Sequence, residues 1–336
     1  MGKQLRPARV GFAVICYLVI RLLPVRVGSE LMALVGRMFP RFLAKKMTIR
    51  RNLHTAFPDL DDSSLDDLTA KIIANFGRLT AETSHISSFR SGRNGAVLSA
   101  RGALKYPIEQ RGKAIYVSAH LGNWELIPIF FQQHDLPLTI VRTQMDHPVV
   151  DRRLMSLRRE TGATYVDKSN ALRPCIAALK RDESIALLVD QRVESGIEVD
   201  FFARRTLFTS LPARMALRFN CPIIPGEAVR VGPGQVQVVF HEPIWPGLRR
   251  DEDAERDLTQ RMAKAIEESI CRHPEQWFCN KSRWEKRRDI SNVERPTTDL
   301  NYLNCASRAS STAHFEPADR TLPDQPSTTT ARDLSR

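Results

Sequence analysis

The chain has 336 residues, 42% of them hydrophobic and 26% charged, which suffices for one large α/β unit or two average domains and excludes a wholly disordered chain. Its formal net charge is +12, and most of it lies in the first 58 residues, where eleven Lys and Arg face Glu30 alone. A polyanion is therefore met mainly through the N-terminus, and the charge lies beside an apolar run without interleaved aromatics expected to be exposed, which argues against nucleic acid as the partner.

Residues 10–20 form an eleven-residue apolar run behind Lys3, Arg6 and Arg9, with no small-residue cleavage site after it. The run is too short to span a bilayer, which takes roughly 20 apolar residues, and Arg21 interrupts its extension through Leu23. Residues 1–30 are read as an interfacial helix or membrane anchor with Arg21 reaching to the head groups; a buried core helix is the alternative. Arg37, Arg41 and Lys45 recur every four residues, so a continuous helix would place them on one face, suited to anionic lipid or simply to water.

Beyond "FPDLDDSS", Ser63 or Ser64 is expected to cap a helix from about Leu65 to Ser88 that gathers Leu65, Leu68, Ile72, Phe76 and Leu79 on one face. The period then changes. "AIYVSAH", "LTIVR", "ATYVD", "SIALLVD", "PIIPGEAVRV" and "QVQVVF" read as strands, separated by helical stretches near 124–133, 148–161, 170–181, 210–219 and 251–272. The alternation predicts an α/β fold with a central sheet flanked by helices, mixed because Gly232-Pro233-Gly234 implies a late hairpin. The expected organisation is an N-terminal segment of residues 1–30, a domain over 31–290 and a polar tail over 291–336. The last 31 residues, rich in Ser, Thr and Pro, are expected to be disordered.

The six cysteines contain no Cys-x-x-Cys pair, so no disulfide framework is expected. Cys271, His273 and Cys279 lack a fourth ligand at finger-like spacing, and no metal is assigned. Nucleotide-binding glycine loops, a zinc-protease His-Glu-x-x-His and Gly-x-Ser-x-Gly do not occur.

The stretch "AIYVSAHLGNWELIP" runs from a strand through a Gly-Asn turn into a helix, and strand ends that hand over to helices are where α/β folds expose reactive side chains. His120 sits there, with Asn123 in the turn and Glu125 in the first helical turn. Imidazole takes a proton near neutral pH, and a carboxylate fixes its tautomer, so the pair reads as base and orienter. Spacing alone equally allows a helix cap.

Several ordered motifs go further. "RLLPVRVGSELMALVGRMFPRF", "RRNLHTAFPDL", "SAHLGNWE", "HPVVDRRLMSLRRETGA", "IALLVDQ", "VDFFARRTLFTSLPARMALRFNCPIIP" and "HPEQWFCNKSRW" follow one another from about Arg21 to Arg288. In these the chain resembles the bacterial lipid A biosynthesis acyltransferases, the late lauroyl/myristoyl transferases within the glycerolipid acyltransferase superfamily. The resemblance implies a glycerolipid-acyltransferase-like fold and an acyl transfer without metal or bound cofactor. The donor it implies is an acyl carrier protein thioester, or a coenzyme A thioester, and the acceptor is a hydroxyl of a lipid A precursor. It also implies an anionic membrane surface at the cytoplasmic face of the bacterial inner membrane. It makes His120 the general base and Glu125 the acid of the same motif. It places Arg158 at the active site, on acceptor phosphate or a developing oxyanion, and makes Asn123, Asp190 and Gln191 candidates for substrate or transition-state contact. Asp190 rivals Glu125 as the partner of His120. A related transferase with another glycolipid or phospholipid acceptor, a thioesterase, and a non-catalytic basic membrane binder are the alternatives. The chain departs from the family pattern at His147-Pro148, where Asn often precedes the proline, at Ala203 in place of a usual glycine, and at Cys279 and Asn280 in place of an aromatic and a His.

Overall fold

The computed structural model describes residues 19–38, 43–249 and 251–284. After a helical stretch at residues 19–22 come α1 (Val25–Met38), α2 (Leu43–Ala56), α3 (Asp62–Ser84) and α4 (Ile86–Ser91). Strands β1 (Val97–Gly102) and β2 (Ile115–Ser118) then lead through α5 (Ile127–Gln133) to β3 (Leu138–Arg142), α6 (Pro148–Arg159), β4 (Thr164–Asp167), α7 (Leu172–Lys180) and β5 (Ser184–Leu188). A small hairpin, β6 (Ile197–Phe201) and β7 (Arg204–Phe208), precedes α8 (Leu211–Phe219), β8 (Ile223–Gly232), β9 (Gln235–Phe240) and α9 (Glu252–Arg272).

Seven strands form one sheet in the order β1-β9-β8-β2-β5-β3-β4, and β6-β7 stand apart as a two-stranded ribbon. Every neighbouring pair in the large sheet is parallel except β8-β9, the hairpin expected from the Gly-Pro-Gly turn. The sheet is thus mixed and flanked by helices, as the alternating pattern predicts.

β2 is central and buried on both faces, which is why it reads as a continuous apolar run rather than an alternating one. Its Ile115 and Val117 pack into a core with Ile185, Leu187, Met262 and Ile266, while Tyr116 enters a second core with Phe130, Phe131 and Phe240 on the opposite face. β1 escaped the periodicity reading because it is an edge strand with few buried side chains. The β6-β7 ribbon escaped it because its turn, Phe202-Ala203, has positive φ at both residues without a glycine to signal it.

Two N-terminal expectations change. α3 is capped by Asp61, whose carboxylate accepts the Ser64 N–H at 2.7 Å, so the two serines lie in the first turn instead of at the cap. That helix stops at Ser84, because His85 leaves helical backbone geometry before α4 begins. Arg37 lies in the last turn of α1 and Lys45 in α2, while Arg41, the middle member of the expected face, lies outside the described residues. Among the described residues no helix is long and apolar enough to cross a membrane; residues 1–18 and the polar tail lie outside the described residues. Cys175, Cys221 and Cys279 are buried free thiols, whereas Cys271 is disulfide-bonded, a link that the scattered spacing gave no reason to expect.

α1 and α3 cross closely at Gly36 and Gly77; a Cβ at Gly77 would lie 2.1 Å from the Met32 carbonyl oxygen. This contact brings Glu82 of α3 and Ser29 of α1 over β8. Glu82 is fully buried and accepts two hydrogen bonds from the Arg230 guanidinium, both at 2.7 Å, and a third from Ser29 at 3.0 Å. Removing one member of such a pair leaves a buried charge uncompensated. Glu82→Ala is expected to destabilise the fold by about 3–5 kcal/mol, and joint replacement of Glu82 and Arg230 by Met should cost less than the single change. Urea denaturation midpoints of the three proteins check this.

Candidate active site

The parallel pairing of β2 with β5 aligns Ser118 with Leu188, and the same offset of 70 residues carries on past the strand ends to His120 and Asp190. Their side chains meet there: His120 Nδ1 lies 2.7 Å from Asp190 Oδ1. The other carboxylate oxygen accepts the Trp277 indole N–H at 3.0 Å. Burial opposes the Asp190 charge, but the His120 imidazole and the N–H groups facing it outweigh burial and hold the carboxyl below its ordinary value. With Nδ1–H given to Asp190, the neutral imidazole presents its Nε2 lone pair at the sheet edge, where the Gln191 amide donates to it at 3.2 Å.

The turn after His120 is built for close approach. Gly122 has φ +59°, and a Cβ there would lie 2.0 Å from the Ala228 carbonyl oxygen, which then accepts the Asn123 N–H at 2.8 Å. Asn123 itself is fully buried, and its amide donates to Glu82 at 3.0 Å. It holds the turn against the Glu82–Arg230 pair, so the expectation that it meets substrate gives way to a supporting contact.

The expected pairing of Glu125 with His120 is replaced as well. Both Glu125 oxygens face the Arg158 guanidinium in a forked pair at 2.7 and 2.8 Å, and one also accepts the Trp124 indole N–H at 3.1 Å. Of the two rival carboxylates, Asp190 is the one bonded to the imidazole. The reason lies in the backbone: the turn lifts Glu125 onto the 3-10 segment Trp124–Leu126, facing α6, while Asp190 ends the strand beside β2. Burial works against the Arg158 charge, yet Glu125 outweighs it and raises the guanidinium pKa. Tyr165 packs under the Arg158 guanidinium, 5.3 Å from carbon to ring centre. Arg158 Nη1 is buried with no hydrogen-bond partner among the described residues, leaving one donor unused beside the Glu125 pair. Trp124 sets its ring edge-on to His120 with centroids 4.9 Å apart.

The structure therefore brings His120, Asp190 and Gln191 together, groups Glu125 with Arg158 next to them through Trp124, and removes Asn123 to the interior. Trp277, Glu82 and Arg230 are the participants that sequence reasoning missed. The quoted "HPEQW" and "GEAVR" blocks contain Trp277 and Arg230, but no local spacing tells that either reaches the His120 turn.

An imidazole that presents Nε2 at the edge of an α/β sheet, held through Nδ1 by a buried carboxylate and with a guanidinium nearby, is a site suited to acyl transfer to a hydroxyl. The chain belongs to the bacterial lipid A biosynthesis acyltransferase family, whose pattern it matches over residues 3–286, and it is an acyltransferase. It is similar to the phosphatidylinositol mannoside acyltransferase of Mycolicibacterium smegmatis, 23% identical over 243 residues that cover 70% of this chain and 78% of that protein. The phosphatidylinositol mannoside acyltransferase of Mycobacterium tuberculosis is also 23% identical, over 176 residues covering 51% of this chain and 54% of the relative.

The two ion pairs are expected to act as separate units. Asp190→Asn should lower turnover by roughly 10²-fold or more in the wild-type background. It should cost almost nothing further when His120 is already Ala, because the two residues act as one. Glu125→Gln should couple instead to Arg158, by about 0.5–3 kcal/mol in a double-mutant cycle. Acyl-transfer rates of the single and double variants check both statements.

Proposed function

We propose that this acyltransferase moves a fatty acyl chain from an acyl carrier protein thioester to a hydroxyl of a glycolipid, with a lipid A precursor as acceptor and the cytoplasmic face of the bacterial inner membrane as its place of action. The observation that carries this reading is the His120 imidazole, tied through Nδ1 to Asp190 and presenting Nε2 at the sheet edge. In the reaction, Nε2 takes the proton of the acceptor hydroxyl as its oxygen attacks the thioester carbonyl. Collapse of the tetrahedral intermediate then expels the thiolate, which receives the proton from the imidazolium. Asp190 stabilises that imidazolium. Gln191 marks the place where the hydroxyl donates, and must yield it or share it. The unused Arg158 donor suits acceptor phosphate or the developing oxyanion, since a guanidinium is a fixed fork of N–H groups.

The names of the mycobacterial relatives favour a second acceptor, a mannosylated phosphatidylinositol. Both acceptors are glycolipids. Mass spectrometry of lipids from cells with and without the protein separates them, because the mass of the product reports acceptor and acyl chain together. His120→Ala is expected to lower the transfer rate by roughly 10²-fold or more; a variant that transfers at the wild-type rate would end this mechanism.

Membrane location is supported by α1. Val27, Leu31, Leu34 and Met38 are exposed and recur at four-, three- and four-residue spacing, so they form one apolar stripe, and Leu22 lies exposed just before it. Exposed Arg26 and Arg37 stand on the same helix. Such a stripe, flanked by cations, fits the boundary between head groups and acyl chains. Replacing Leu31 and Leu34 with Glu removes two apolar side chains and adds two negative charges. Binding to vesicles containing anionic lipid is then expected to fall by about 10-fold or more; co-sedimentation measures it.

A further inference from the structure

We propose that Trp277 is a positioning residue for the transfer: its indole N–H holds one oxygen of the Asp190 carboxylate so that the other stays on His120 Nδ1. The inference rests on the reading of His120 as the base.

Asp190 is almost wholly buried, and its two oxygens have different partners, His120 at 2.7 Å and Trp277 at 3.0 Å. Rotation of an aspartate carboxylate about χ2 is broad and nearly two-fold, so a single hydrogen bond leaves its plane free to swivel. A second donor on the opposite oxygen fixes that plane. The indole N–H suits this role because it donates only and has no lone pair with which to accept a proton.

Trp277 is itself immobilised. It is 1% exposed, stacks on Phe202 with centroids 5.8 Å apart, and meets Trp284 edge-on at 6.5 Å. Its backbone grips the other member of the pair: Leu121 and Trp277 form an antiparallel bridge, the Phe278 N–H donates to the His120 carbonyl at 2.8 Å, and the Gly122 N–H donates to the Gln276 carbonyl at 3.1 Å. One three-residue segment therefore holds His120 by its main chain and Asp190 by its side chain. The segment is anchored from beyond by Asn52 of α2, whose amide donates to the Cys279 and Lys281 carbonyls at 2.8 and 2.7 Å and accepts the Arg283 N–H at 3.1 Å. The "RRNL" and "QWFCNKSRW" blocks, more than 200 residues apart, meet at this point.

The other titratable or charged groups electrostatically coupled to Asp190 are Arg283 and the Cys279 thiol, and Arg192 acts in turn on Arg283. Arg283 lies over the rings of Phe201 and Phe208 at 5.0 and 4.5 Å, where burial pushes its pKa down to about 10. Arg192 adjoins Gln191 in the chain and faces Arg283. None of these is altered in the test.

Trp277→Phe keeps an aromatic ring against Phe202 and removes the N–H. With its second donor gone, the Asp190 carboxylate is free to swivel and its hold on His120 Nδ1 loosens, so the imidazolium is less stabilised. The acid limb of the kcat–pH profile should move to lower pH, and kcat should fall about 10-fold with acceptor KM within about twofold of wild type. The downfield proton resonance of the His120 Nδ1–H, identified by its absence in His120→Ala, should shift as well; this readout needs no substrate. If Trp277→Phe does not fold, 3-benzothienylalanine placed at position 277 puts sulfur where the N–H was, within the same bicyclic outline, and carries the same expectations. An unchanged pH profile together with an unchanged resonance, in whichever variant folds, overturns the inference, as does movement of the acid limb to higher pH. Full activity of His120→Ala instead overturns the reading on which the inference stands, so the two failures are distinguishable.

Discussion

The register between β2 and β5 is the constraint on which the site depends. Parallel strands bring like ends together, so a base at the end of one and a carboxylate at the end of the other become neighbours when the offset between them equals the pairing offset. Here both are 70 residues. A slip of one residue would turn every side chain of β2 to the opposite face and separate the pair. The slip is prevented by the cores themselves: Ile115 and Val117 fill one, Tyr116 the other, and neither has room for the alternative.

Around that constraint the structure keeps two carboxylates in different work. Asp190 has a single imidazole and an indole N–H to satisfy it, so its charge bears on His120. Glu125 is already satisfied by a forked guanidinium and has nothing left to offer the imidazole. In a poorly solvated site this separation matters, because a carboxylate shared between two cations serves each of them less. Glu125 instead fixes Arg158 while leaving Nη1 unspent.

The support of the His120 turn is equally divided. From one side come Asn123, Glu82 and Arg230, which connect the turn to α3, α1 and β8. From the other comes the segment Gln276–Phe278, which pairs with His120–Gly122 by main-chain hydrogen bonds. The close contact of Gly122 with Ala228 completes the seat. The turn is held by elements from the beginning, middle and end of the described chain, and burial of the Glu82–Arg230 pair is tolerable because Glu82 also accepts from Ser29 and Asn123 while the guanidinium donates in addition to Asn75.

The sequence by itself determined the elements whose signals are local. Buried strands such as β2, β3 and β5, the helices α5 to α9 and the β8-β9 hairpin are all legible, because apolar runs, 3.6-residue periodicity and Gly-Pro-Gly chemistry act over a few neighbouring residues. It also singled out His120 at a strand end, and the resemblance carried by the ordered motifs added Arg158, Asp190 and Gln191. It could not assign partners. Glu125 is five residues from His120 and Asp190 is seventy, and nearness along the chain favoured the wrong carboxylate. Asn123 was a candidate for substrate contact in the turn, yet Glu82 draws it inward. Trp277 lay in a quoted motif but gave no sign of its partner, because its effect depends on a segment that returns to the turn only after α9. Side-chain pairing in a parallel sheet is set by strand order and register, which are collective properties of the packed cores, and only the tertiary structure decided them.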